Sequence, residues 1–292
     1  LVDPRQTGTV FQVERERLEQ KPFSLPGRGA AELVNTLPGW LMEANSVLHP
    51  RGSEYDTQYV LDGMPLTDNR SPAFAPTLET EELEAVHVFT ANIPAEYGRK
   101  LGGVVEMYTR HSDAPGHHPQ VVLRGGSFSS AESFVSDSYV SGRTALFAGA
   151  RVGRTERFLD PPALENFTNR AGMAGASLRL ERDLSPRDRL QAHVQSNSVN
   201  FLVPNDLEQQ EHGQRQDRRN QETAGRLSFQ HVFSAASAGT LRAMVRDLSA
   251  RLWSNPLAVP VYAEQDRGFR EAYVAGHFTA QKGPHLVKFG AD

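Results

Sequence analysis

From about residue 119 onward the chain alternates apolar and polar residues, and its connections alternate short and long. No other feature limits the fold as much. In 174–181, Ala174, Ala176, Leu178 and Leu180 share one face of an extended strand, and Gly175, Ser177, Arg179 and Glu181 share the other. In 190–197, Leu190, Ala192 and Val194 oppose Gln191, His193 and Gln195. The stretches 226–233 and 271–280 repeat the pattern, and 119–127, 131–140, 144–156 and 240–253 carry it less cleanly. A period of two is the mark of a strand with one apolar and one polar face.

The short connections fall at Ser141-Gly142-Arg143, 184–188, 235–239 and Lys282-Gly283-Pro284. The long polar ones fall at 157–170, 201–219 and 254–268. Strands of about ten residues, with short turns at one end and long loops at the other, are what an outer-membrane barrel requires. A soluble sandwich has shorter strands and no such asymmetry. About nine strands are expected, the last incomplete. A closed bacterial barrel needs an even number, so the chain is expected to be a fragment.

Composition agrees with this picture. Only 38% of residues are hydrophobic, and no apolar run approaches the ~18 residues of a membrane-crossing helix. Strands that alternate do not need one. There is no cysteine, which rules out a disulfide framework, a thiolate metal site and a cysteine nucleophile. The net charge of −4 offers no electrostatic case for nucleic acid. The first residues, LVDPRQTGTVFQVERERLEQ, have neither a basic nor an apolar region of a signal peptide.

Residues 1–113 read differently, as a mixed α/β unit. Val10, Phe11 and Val13 predict a strand, and 28–37 predicts a helix stopped by Pro38-Gly39. Strands are expected at 47–51, at 58–61 before the Asp62-Gly63 turn, at 85–89 after a helical turn over 79–83, and at 104–109. Residues 66–77 read as a loop, and 111–118, HSDAPGHH, as a linker.

Here the residues carry a specific resemblance. RGSEYDTQYVLDGMPLTDN, followed by EELEAVHVFTANIPAEYGRKLGGVVEMYTR, resembles the plug domain of TonB-dependent outer-membrane receptors. The matching pieces are Arg51-Gly52, Asp62-Gly63-Met64-Pro65, the acidic step into a strand over 81–88, and Tyr97-Gly98 with Gly102-Gly103. Leu37-Pro38-Gly39 also sits where plugs have such a tripeptide. The wording of 94–98, PAEYG, is similar to the branch of large receptors with a regulatory-like domain before the plug. The resemblance covers about 5–113, and the rest agrees in pattern only.

It implies an α+β plug domain over 1–113, a linker over 114–118, and the first antiparallel transmembrane strands of an incomplete β-barrel over 119–292. It further implies a Gram-negative outer-membrane receptor, without cofactor or resident metal, that imports a scarce bulky solute. The solute could be a siderophore, vitamin, oligosaccharide or peptide. Its partners would be outer-membrane lipid and the TonB energy-transducing complex. The segment that pairs with TonB is not recognisable at the start of the chain, and most of the ~22 strands usual in such transporters lie beyond residue 292.

The candidate residues follow from the resemblance. Arg51, Gly52, Asp62, Gly63, Tyr97, Gly98, Gly102 and Gly103 carry the plug motif and its boundary with the barrel. Glu54 and Asp56 are local acidic partners for Arg51. Asn69, Arg70 and Phe74, an amide, a cation and a ring, are candidates for facing solute. GRKLGG at 98–103 lacks the Lys-Ser/Thr of a phosphate loop and precedes a strand, so a tight turn explains it better. His111, His117 and His118 lack further ligands at metal spacing. RQDRRN at 215–220 reads as a solvated loop face.

Two other classes predict different patterns. A secreted β-rich binding or adhesion protein with an α/β head predicts short strands and loops of equal length. A hydrolase predicts a nucleophile elbow or paired carboxylates, and neither is found.

Overall fold

The computed structural model describes residues 10–20, 25–43, 47–51, 53, 56–67, 79–90, 93–94, 96–98, 102–111 and 114–292. The N-terminal α/β part runs β1 (Val10–Glu14), α1 (Arg15–Glu19), α2 (Gly29–Asn35), β2 (Trp40–Met42), β3 (Leu48–Pro50), β4 (Thr57–Leu61) and β5 (Met64–Leu66). A 3-10 turn (Thr80–Glu82) then leads into β6 (Leu83–Phe89) and β7 (Gly103–Thr109). Five of these strands form one sheet in the order β1-β6-β7-β4-β5, and β2 and β3 form a separate hairpin. The central β4–β7 pair is parallel, and its neighbours are antiparallel.

The Asp62-Gly63 turn forms as its sequence predicts. Asp62 has φ of 50° and Gly63 of 74°. Two successive positive φ values match the twist of a two-residue hairpin, which joins β4 to β5. The Asp62 carboxylate accepts from the Thr109 amide at 2.9 Å and its hydroxyl at 2.8 Å, so the turn is tied to the end of β7.

Residues 116–291 form a second sheet of nine strands in strict sequence order. They are β8 (Gly116–Gly126), β9 (Ser130–Ser141), β10 (Thr144–Thr155), β11 (Ala171–Asp183) and β12 (Asp188–Leu202). After α3 (Leu207–Glu211) come β13 (Gln216–Ser234), β14 (Ser237–Ser254), β15 (Glu264–Lys282) and β16 (His285–Ala291). Every neighbouring pair is antiparallel. The connections at 127–129, 156–170, 203–215 and 255–263 share one end, and those at 142–143, 184–187, 235–236 and 283–284 share the other. No helix among the described residues is long and apolar enough to cross a membrane.

This sheet is inside out relative to a soluble protein. Leu178 and Val194 are 51% and 55% exposed, whereas their neighbours Arg179 and Gln195 are 8% and 3% exposed. The polar face turns inward onto the α/β part, and the apolar face turns outward. The core of the α/β part accordingly takes in Met244, with Tyr273 packed against it, both from the wall.

Several boundaries differ from expectation. The first wall strand begins at Gly116, so His117 and His118 are strand residues and not linker. His117 Nδ1 lies 2.7 Å from Asp137 and its ring stacks on Tyr139, while His118 Nε2 meets the Ala114 carbonyl at 2.8 Å. β13 starts at Gln216 and β15 at Glu264, which shortens two expected loops. Arg218 and Arg219 therefore belong to a strand. Near the long-loop end both faces are polar, so the alternation that marks a strand fades before the strand stops. α1, β2 and α3 leave no trace in the sequence pattern, because one helical turn or three strand residues give no periodicity.

Candidate functional site

The chemistry of this chain is concentrated where the α/β part meets the wall. The 3-10 turn and the residue before it, 79–82, are central. Glu79 carboxylate oxygens accept the amides of Gly27 and Gly29, the latter at 3.0 Å. Those donors precede and open α2, where backbone N–H groups have no helical partner. Glu81 is in direct contact with Arg124 of β8, which also approaches Glu132 at 3.8 Å. Glu82 is in direct contact with Arg151 of β10, and Ser177 of β11 donates to it at 2.7 Å. The backbone of the turn is held as well, since the Arg110 amide donates to the Glu82 carbonyl at 2.8 Å.

Burial, reinforced by the charge of Glu81, pushes the Glu82 carboxyl up to about 7, against the Ser177 hydrogen bond and the charge of Arg226. The Arg151 guanidinium in contact with it also favours the charged form.

Two further arginines of the wall grip backbone. Arg179 Nη1 donates to the carbonyls of Thr109 at 2.9 Å and Arg110 at 3.1 Å, while Nη2 pairs with Glu181 at 2.9 Å. Arg246 is fully buried and bonds Glu222 at 2.9 Å, Glu271 at 3.0 Å and the Thr67 carbonyl at 2.9 Å. Thr67 returns a hydroxyl bond to Glu271 at 2.9 Å. Buried charge is tolerated here because each cation has a carboxylate or carbonyl against it.

Near the long-loop end, Arg28 lies over the Phe158 ring at 4.2 Å. Burial lowers its guanidinium to about 10, opposed by Glu32 and Asp160. Pro26 packs so closely on β10 that a Cβ at Gly153 would lie 3.2 Å from it.

The predicted site residues separate into two groups. Gly63 lies at the interface, where a Cβ would come within 2.8 Å of the Arg242 guanidinium carbon. Asp62 is turned to Thr109, with both carboxylate oxygens engaged. Gly102 and Gly103 face inward: a Cβ on the first would meet Asp56 and Pro50, and on the second the Trp40 ring at 2.5 Å. Tyr97 packs on Phe89 at 5.5 Å between ring centroids, and Gly98 is exposed. Arg51 is exposed, has φ of 53°, and donates its amide to the Gly39 carbonyl at 2.7 Å. Asp56, proposed as its partner, instead accepts from Ser53. Gly52, Glu54, Asn69, Arg70 and Phe74 lie outside the described residues.

Glu79, Arg124, Arg151 and Arg246 carry no motif in the sequence, and Glu81 and Glu82 stand out there only as part of the acidic step over 81–88. The charged residues of the wall fall on the polar face of their strands, which is the one signal available. Glu79, Glu81 and Glu132 place carboxylates within 4.8 Å of one another, but the Gly27 and Gly29 amides and Arg124 already satisfy them. RQDRRN is also engaged: Arg219 donates to Asn200 at 2.6 Å and Arg218 to Asn220 at 3.2 Å.

No family model and no curated protein matches the sequence. Solved structures do match the fold. The FpvA receptor of P. aeruginosa bound to heterologous pyoverdines is similar over 98% of this chain and 42% of its own, with a TM-score of 0.75 at 15% identity. The alcaligin outer-membrane receptor FauA of Bordetella pertussis is similar over 99% and 47%, with a TM-score of 0.74 at 14% identity. The FrpB iron transporter of Neisseria meningitidis is similar over 97% and 48%, with a TM-score of 0.77 at 10% identity. The chain thus spans less than half the length of these structures. It carries the plug-and-barrel fold of TonB-dependent outer-membrane receptors, as a plug sheet followed by nine consecutive strands of the wall.

Proposed function

We propose that this chain is the plug and leading wall section of an outer-membrane receptor that imports a scarce, bulky solute. The observation that carries the reading is the inverted wall. Its exposed face is apolar and its buried face is polar, an arrangement favourable only with lipid outside and a hydrophilic filling inside. A row of rings on the outer face near the short-turn end supports it. Tyr139 stacks with His117, and Phe233, Phe278 and Phe289 follow one another at 5.6 and 5.1 Å. Aromatic residues of this kind gather at the membrane interface. A secreted binding protein would bury the apolar face.

On this reading residues up to about Arg110 are the plug, and the wall begins at Gly116. The solute is of the ferric-siderophore class, because the similar structures include receptors for pyoverdine and alcaligin. The energy comes from a TonB-type complex acting on the plug, and the role is transport, not catalysis. The test is fractionation of cells that express the full-length protein. A washed outer-membrane species whose migration changes on heating is expected. A species confined to the soluble fraction would overturn the reading.

A further inference from the structure

We propose that residues 79–82 divide into an internal staple and two wall anchors: Glu79 travels with the plug, whereas the contacts of Glu81 and Glu82 must open before the plug moves. The proposal rests on the plug-and-barrel reading of the chain. Glu79 precedes the 3-10 turn in extended backbone (φ −108°, ψ 149°), whereas Glu81 and Glu82 lie within it. Carboxylates from one short piece of backbone thus reach different bodies.

Glu79 is 2% exposed and faces its own unit. It closes on the amides of Gly27 and Gly29, and a Cβ at Gly29 would collide with its carboxylate. All of these groups lie in the plug, so the contact survives any rigid displacement of it. Glu81 and Glu82 point outward to Arg124, Arg151 and Ser177, on three strands of the wall. These contacts cross the seam and cannot survive such a displacement.

The anchor at Glu82 is also self-restoring. The Arg151 side chain is 1% exposed, none of its nitrogens has a hydrogen-bond partner, and its Nη2 meets Glu82 as an ion pair. Glu82 is the one carboxylate in contact with it among the described residues. Separation leaves a buried cation uncompensated, so the open seam is driven to close again.

Hydrogen exchange on the full-length protein in lipid nanodiscs tests the partition. Glu81→Gln/Glu82→Gln, and separately Arg151→Met, are expected to speed exchange across 79–90 and 103–111 by about 100-fold or more. Glu79→Gln is expected to speed exchange across 25–35 and to leave 103–111 within about threefold of the parent. Arg151→Lys retains the charge and gives an intermediate effect, which keeps the test open if the Met variant does not assemble. Unchanged exchange at 103–111 in the anchor variants, or an equal response to Glu79→Gln, overturns the proposal. Heat-modifiable migration is recorded for each sample. Its absence in the parent would refute the receptor reading, a different failure from equal exchange in a correctly assembled barrel.

Discussion

Arg179, on the inner face of the wall, donates to the Thr109 carbonyl at 2.9 Å, at the very end of the plug sheet. The same guanidinium reaches Arg110 and Glu181. Arg179→Met would orphan two buried carbonyls and leave Glu181 without its cation. A loss of about 3 kcal/mol is expected. Arg179→Lys should recover less than half of that, because a point charge cannot reproduce the planar fork. Denaturant unfolding of the plug, followed by hydrogen exchange at 103–111, measures both.

Arg246 ties Glu222, Glu271 and Thr67 together in a fully buried cluster. Arg246→Met removes the cation bonded to both carboxylates and leaves Arg226 as the remaining charge near them, at a cost of about 3–5 kcal/mol. Combining it with Glu222→Gln and Glu271→Gln should restore part of the loss, because the uncompensated charges disappear. Unfolding midpoints of the single and triple variants decide the matter, and simple additivity would refute the coupling.

Gly103 lies against the Trp40 ring, where a Cβ would come within 2.5 Å. Gly103→Ala must displace the indole or the strand, and about 1–3 kcal/mol of destabilisation is expected. Trp40 donates to the Thr90 hydroxyl at 3.2 Å, so displacement should also shift its emission. The difference between spectra with and without Trp40→Phe isolates this signal. An unchanged spectrum would contradict the packing.

Tyr97 and Tyr108 should resist alkaline titration. Burial, and after it the charge of Glu106, pushes both phenols above their ordinary value of 10.0. The folded state thus holds these protons more tightly than the unfolded one. Their contribution to stability is complete below pH about 10 and is lost as pH rises above it. Ultraviolet titration should show two late-ionising tyrosines that disappear in Tyr97→Phe/Tyr108→Phe, and Glu106→Gln should bring them earlier.

The wall was legible in the sequence because an exposed apolar face and a buried polar face impose a period of two, as in 174–181 and 190–197. The Asp62-Gly63 turn was legible because two positive φ values select those residue types. Strand ends were not, since Asp217, Arg219 and Gln221 make the outward face of β13 polar near the loop. The interface was not legible either. Glu82 meets Arg151 and Ser177, and Thr67 meets Glu271, across separations that no local pattern encodes. Arg51, expected at the boundary with the barrel, is exposed in this chain and bonded through its backbone amide.

The central claim is that the wall has lipid on one side and the plug on the other. Residues 1–292 hold no cysteine, so single spin labels can be placed at Leu178, Val194, Ser177 and Gln195 in a full-length protein in membranes whose only cysteine is the introduced one. Collisions with oxygen, which partitions into lipid, and with a water-soluble nickel complex read the two environments. Labels at Leu178 and Val194 should favour oxygen, and those at Ser177 and Gln195 should be shielded from it. Labels at Leu178 and Val194 that respond to the nickel complex as a water-exposed loop does would contradict the account.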